Sequence, residues 1–152
     1  RMVYRLKYRN SPDVGEDLGR LMATDFLLAH YFDDIDLLLP VPLTRKRQHQ
    51  RGYNQSEMLA RGISDVTHLP MAPKALKRQV FRESQTHLSR HERQENVDGI
   101  FVVTDTEILK GRHVLLIDDI CTTGATLTAC AKALASIEGI RISVLTLGFT
   151  KN

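Results

Sequence analysis

Val114-Leu115-Leu116-Ile117-Asp118-Asp119-Ile120-Cys121-Thr122-Thr123-Gly124-Ala125-Thr126-Leu127 is the stretch on which the reading of this chain turns. Its first four residues are apolar and two are β-branched. They are too few for a helix but sufficient for a buried parallel strand, which shows a continuous apolar run rather than alternation. The chain then turns polar. Ionised Asp118 and Asp119 offer only acceptors, which match the vicinal hydroxyls of a ribose. Thr122, Thr123, Gly124, Ala125 and Thr126 bring backbone N–H groups, hydroxyls and a glycine free to take positive φ, directly before an expected helix over residues 127–137. Unpaired amides at a helix N-terminus attract an anion. Open α/β sheets bind ligands at this place, outside the carboxyl ends of their strands. The competing interpretation is an ordinary strand-to-helix turn with two solvated acids and a threonine N-cap.

Other phosphate loops do not fit. The chain has no G-x-x-x-x-G-K-[ST], as a P-loop nucleoside triphosphatase requires, and no G-x-G-x-x-G for a dinucleotide. It also lacks H-E-x-x-H and G-x-S-x-G, which leaves metalloprotease and hydrolase readings without support. A ribose 5-phosphate derivative is the expected ligand.

Outward from this stretch, apolar and polar residues alternate at helical spacing over residues 14–31, with Leu18, Leu21, Met22, Phe26 and Leu27 on one side. A first core strand is expected over 35–41, and a helix over 55–66 with Met58, Leu59 and Ile63 facing inward. Strands follow at 75–80, 100–103, 113–117 and 142–147, with Gly139 ending the helix before the last of them. Strands alternating with helices imply an α/β fold, a parallel sheet with helices on both faces. No repeat or linker divides the chain, so residues 1–152 read as a single domain.

Between the first strand and the next helix, residues 44–51 carry four fixed positive charges and no acid. Such a run is usually a solvated face. Here it leaves the same sheet edge as the acidic pair, which favours a second anion site over the solvated face. A polar segment over 81–96 holds Arg82, Arg90 and Arg93 against three glutamates, and is either a surface connection or a functional loop. His87 and His91 are four apart but have no third metal ligand nearby, so they read as surface residues.

Three blocks together resemble a known family: Ile117-Asp118-Asp119 with Thr122-Thr123-Gly124-Ala125-Thr126; Pro40-Val41-Pro42-Leu43 with Arg47 and Arg51-Gly52-Tyr53-Asn54-Gln55; and Gln85, Leu88-Ser89, Glu92-Arg93 and Asn96. The first is similar to the phosphoribosyl pyrophosphate (PRPP) motif of type I phosphoribosyltransferases. All three resemble the ComF/GntX family of phosphoribosyltransferase-like proteins, associated with competence for DNA uptake. The resemblance implies the type I phosphoribosyltransferase fold. It also implies that Thr122, Thr123, Gly124, Ala125 and Thr126 hold a 5-phosphate, and that Asp118 and Asp119 bind ribose hydroxyls and stabilise a ribosyl cation. Arg47 and Arg51 would approach pyrophosphate, and residues 81–96 would be a lid whose Arg90 and Arg93 complete its neutralisation. Mg²⁺ would accompany PRPP, with no separate protein metal site. The expected activity is transfer of ribose 5-phosphate to a nitrogen acceptor that no residue identifies. The alternative is a non-catalytic PRPP-binding module that handles single-stranded DNA or meets competence proteins, using basic segments at residues 1–9 and 44–51. A PRPP sensor is a third possibility, and a homo-oligomer remains open.

Members of that family usually begin with a four-cysteine zinc module. Here Cys121 and Cys130 are the only cysteines and lack C-x-x-C spacing, so no such module is present. Because the chain opens on Arg1, a missing N-terminal segment is expected, or else a member that never carried the module. Composition is ordinary for a globular protein, at 42% hydrophobic and 26% charged with a net charge of +3. No run is long enough to span a bilayer and no signal peptide is visible, so a cytoplasmic location without membrane insertion is expected. The sequon Asn54-Gln55-Ser56 is then without meaning.

Overall fold

The computed structural model describes residues 11–80 and 100–150. Its order is α1 (Pro12–Leu28), β1 (Leu37–Pro40), α2 (Arg45–Arg51), α3 (Gln55–Thr67), β2 (Leu76–Arg78), β3 (Phe101–Val103), α4 (Thr106–Leu109), β4 (His113–Cys121), α5 (Ala125–Leu134) and β5 (Arg141–Phe149). The expected lid with Arg90, Arg93, His87 and His91, and the basic segment 1–9, lie outside the described residues.

Strands β1, β4 and β5 form a parallel sheet in the order β1-β4-β5, with Leu37 opposite Val114 and His113 opposite Arg141. Met71 extends it beyond β1 by a parallel bridge to Leu38. The central strand is apolar along its first half because both of its faces are covered. Val114 and Leu116 join Leu37 and Leu39 in a core with Ala129, Cys130 and Leu134 of α5. Leu115 and Ile117 join Leu38 in a second core with Ala23 of α1 and Leu59, Ala60 and Ile63 of α3. Helices on both faces of a parallel sheet are therefore present, as expected.

Four expectations need correction. First, β2 and β3 are not strands of the parallel sheet; they pair antiparallel with each other, Leu76 opposite Val103 and Arg78 opposite Phe101. The apolar side chains Leu76 and Phe101 close the α5 face of the core, so the ribbon serves as a cover. Second, α1 buries Gly15, Gly19 and Ala23, while Leu21 is 59% and Leu27 39% exposed. Leu18, Met22 and Phe26 do pack on the core. Small residues face α3 because the two backbones nearly touch: a Cβ on Gly19 would lie 2.2 Å from the Leu59 carbonyl oxygen, and one on Gly62 2.0 Å from that of Glu16. Third, α1 ends at Leu28 rather than 31, where the chain reverses through His30 at φ 58°. Fourth, the basic run, read as a charged segment with no element of its own, is a helix. Thr44 caps α2 by accepting from the Arg47 N–H at 3.2 Å, and Gly52 at φ 79° ends it.

Among the described residues no helix is long and apolar enough to cross a membrane.

Candidate functional site

The carboxyl ends of β1 and β4 lie side by side, since Pro40 is opposite Ile117 and the Val41 N–H donates to the Ile117 carbonyl at 2.8 Å. The basic helix α2 leaves from β1 and the acidic pair from β4, so the sheet itself brings the two halves of the site together. Strand β4 continues past the expected boundary at 117 to Cys121, with Asp118 opposite Thr146 of β5. Asp118 therefore stands on ladder-paired backbone, and Asp119 lies between the paired positions 118 and 120 of the same strand.

Asp118 Oδ1 accepts from the Asp119 N–H at 2.9 Å and from the Ser56 hydroxyl at 3.2 Å. Asp119 Oδ1 accepts from the Ile120 N–H at 2.8 Å. Burial, and then the adjacent Asp119 charge, push the Asp118 carboxyl up to about 6, against the favourable bonds from the Asp119 N–H and Ser56. Two carboxyls in contact, one reluctant to ionise, form a pair that a hydroxyl-bearing or cationic centre would relieve.

Beyond them, Gly124 sits at φ 81° as the residue before α5. A Cβ there would meet nothing within 4 Å, so the backbone angle and not space calls for glycine. Thr123 Oγ1 accepts from the Ala125 N–H at 3.3 Å, and the Gly124 carbonyl accepts from the Thr128 N–H at 2.9 Å. Thr122 and Thr123 are exposed. Asp118 and residues 120–127 line a small hollow at this turn, open to an anion at the N-terminus of a ten-residue helix.

Arg78 was not singled out from the sequence. Its guanidinium lies 5.5 Å from the centroid of the Phe101 ring and is half-buried. Burial, and then the like charge of Arg47, make it a weaker base than usual, while Cys130 and Asp118 act in the opposite sense. Arg78 thus feels the charge of Arg47 on the basic helix and of Asp118 on β4. The charge of Arg47 is felt by Arg78, whereas that of Arg51 at the other end of α2 is felt by Tyr53. Beside Arg78 an open cleft of about 300 Å³ is lined by Arg45, Lys77, Gln79 and Val80. Cys130, buried under the site, has its thiol pushed up to about 12 by burial and then by Asp118, which makes it an inert core residue.

Asn54 and Ser56 were also missed as site residues. The first is buried, donates Nδ2 to the Val41 carbonyl at 3.0 Å and accepts from the Ser56 N–H at 3.0 Å, capping α3. Asn54 stands in a block that resembles the family, whereas for Ser56 only its position just beyond that block could have suggested a role.

Comparison with known proteins decides what this geometry belongs to. Residues 39–149 match the phosphoribosyl transferase domain. The chain belongs to that family. Competence protein F of Haemophilus influenzae is 30% identical over 147 residues, covering 94% of this chain and 64% of that protein. DNA utilization protein YhgH of Escherichia coli K12 is 29% identical over 136 residues, covering 88% and 59%. Competence protein ComFC of Bacillus subtilis is 32% identical over 130 residues, covering 86% and 50%. The chain thus spans about half to two thirds of these curated relatives. Among solved structures, the allosteric regulatory enzyme of purine biosynthesis has a TM-score of 0.61 at 17% identity, covering 93% of this chain and 30% of that one. Glutamine PRPP amidotransferase from B. subtilis has a TM-score of 0.59 at 17% identity, covering 93% and 30%. These two likenesses establish the type I phosphoribosyltransferase fold.

Proposed function

We propose that the chain binds PRPP across the ends of β1 and β4 and transfers its ribose 5-phosphate to a nitrogen acceptor, releasing pyrophosphate. The observation that carries this reading is the continuity of Asp118-Asp119 with the Gly124 turn and α5, with Arg78 near enough to feel the charges of both Asp118 and Arg47. The 5-phosphate sits on the amides and hydroxyls of residues 122–126, and the ribose hydroxyls on the acids. As the acceptor nitrogen attacks C1, the bond from C1 to the pyrophosphate oxygen breaks, the leaving group keeps the electron pair, and the proton from the nitrogen passes to the departing pyrophosphate or to solvent. Positive charge on the ribose then develops beside Asp118 and Asp119, and negative charge on the leaving group beside Arg47 and Arg78. Fixed charges at both ends favour the transition state over bound PRPP. Arg51, Arg90 and Arg93 are further candidates for the pyrophosphate end.

The donors here are hard oxygens, and among the described residues no three His, Cys, Asp or Glu side chains converge. Such a set suits Mg²⁺ held mainly by substrate oxygens, where it would offset the charge of the diphosphate.

A second reading has its own support. No carboxylate among the described residues pairs with Arg45, Lys46, Arg47 or Arg51, and α2 has no buried residue. With relatives named for competence and DNA utilization, this exposed cationic helix fits a module that binds the phosphates of single-stranded DNA, with affinity falling steeply with salt. Pyrophosphate release on adding PRPP, Mg²⁺ and a panel of bases and amines separates the two. Release that depends on one acceptor supports transfer. No release with any acceptor, alongside single-strand affinity lost in Arg45→Ala/Arg47→Ala, supports the module.

A further inference from the structure

The junction between the basic helix and α3 is pinned at two points, and the second pin is a buried hydroxyl with an unusual use. A serine in the first turn of a helix ordinarily caps it or meets water. Here Asn54 already caps α3, and Ser56 is only 4% exposed. Its hydroxyl instead reaches across 62 residues of sequence to Asp118 Oδ1 at 3.2 Å. The backbone N–H of Asp119 converges on the same oxygen at 2.9 Å. Neither bond uses Oδ2. Meanwhile Asn54, two residues before, ties the same junction to the Val41 carbonyl at the end of β1.

We propose that Ser56 is a positioning residue that locks Asp118 with Oδ2 turned to the ribose hydroxyls, and thereby ties the ribose site to the seat of the basic helix. The proposal rests on the ribose-phosphate reading of the acidic pair given above. The groups acting on Asp118 come from four elements: Asp119 on β4, Ser56 on α3, Arg78 on β2 and Cys130 on α5. Burial, the Asp119 charge and the Asp119 side chain oppose the ionised carboxylate while the Asp119 N–H and Ser56 favour it, so losing the hydroxyl removes one of the two bonds that hold Oδ1 and makes the carboxyl harder to ionise.

The test is calorimetric titration of Mg²⁺–PRPP and, separately, of Mg²⁺–pyrophosphate between pH 5.5 and 8.5, using wild type, Ser56→Ala, Ser56→Cys and Ser56→Thr. Loss of a hydrogen bond to a charged group predicts roughly tenfold weaker PRPP binding in Ser56→Ala. The acid limb of its affinity profile should move to higher pH, pyrophosphate affinity should change less than twofold, and Ser56→Thr should recover most of the loss. Ser56→Cys, close in size but a weak donor, should follow Ser56→Ala and provides the answer if the alanine variant does not fold. An unchanged PRPP affinity and pH profile in both variants overturns the proposal, as does an equal loss of PRPP and pyrophosphate affinity. Failure of the wild type to bind PRPP at all would instead overturn the ribose-phosphate reading beneath it.

Discussion

Asp118 is held against its own chemistry. A carboxyl whose folded value is about 6 and whose ordinary value is 3.8 takes up protons on folding between those limits. Stability is therefore lost as pH rises from about 4 to about 6, and the penalty is complete above that range, of order 2 kcal/mol. Asp118→Asn keeps an acceptor for Ser56 and for the Asp119 N–H but carries no charge. Its melting temperature at pH 7.5 should exceed that of the wild type by roughly 5 °C, with the difference vanishing near pH 4. Equal stability at both pH values would mean that the pair carries no such strain. Such stored cost is characteristic of residues kept for a ligand. Asp118 and Asp119 were legible from their adjacency after an apolar run, and the glycine turn from its local pattern. Ser56 and Arg78 were not, because what matters about them is a partner 62 residues away in one case and a position beside Arg47 and Asp118 in the other. Nothing local in Leu76-Lys77-Arg78 distinguishes a site cation from a solvated one.

At the level of elements, the contact between α1 and α3 depends on absent side chains. Gly19→Ala would drive a methyl group to 2.2 Å from the Leu59 carbonyl, so the helices must separate. Overpacking of this kind costs about 2 kcal/mol or more, and chemical denaturation should find Gly19→Ala destabilised by at least that amount. An unperturbed midpoint would show that the helices can move apart freely. The helical period of α1 was readable, but its buried face was read partly wrongly because glycines give no hydropathy signal. Leu21 stands in solvent while Gly15 and Gly19 are buried. Helix α2 was obscured for a related reason: seven polar residues show no apolar stripe, and only Thr44 and Gly52 mark its ends. The ribbon of β2 and β3 was mistaken because three-residue strands carry too little pattern to show their direction.

Over the whole molecule, the parallel sheet and its two helical layers were legible because β1 and β4 are buried on both faces and spell that out in unbroken apolar runs. The same sheet places the basic helix and the acidic pair at adjacent strand ends, which makes one site of two distant segments. The central claim is that this shared end binds PRPP through the acids of β4. Its most direct test is the shift in melting temperature caused by millimolar PRPP with Mg²⁺, measured in wild type and in Asp118→Asn/Asp119→Asn. A ligand specific to the folded state stabilises by mass action, so the wild type should melt several degrees higher with PRPP. The double variant should show almost no shift. No shift in the wild type, or an equal shift in both proteins, would contradict the claim.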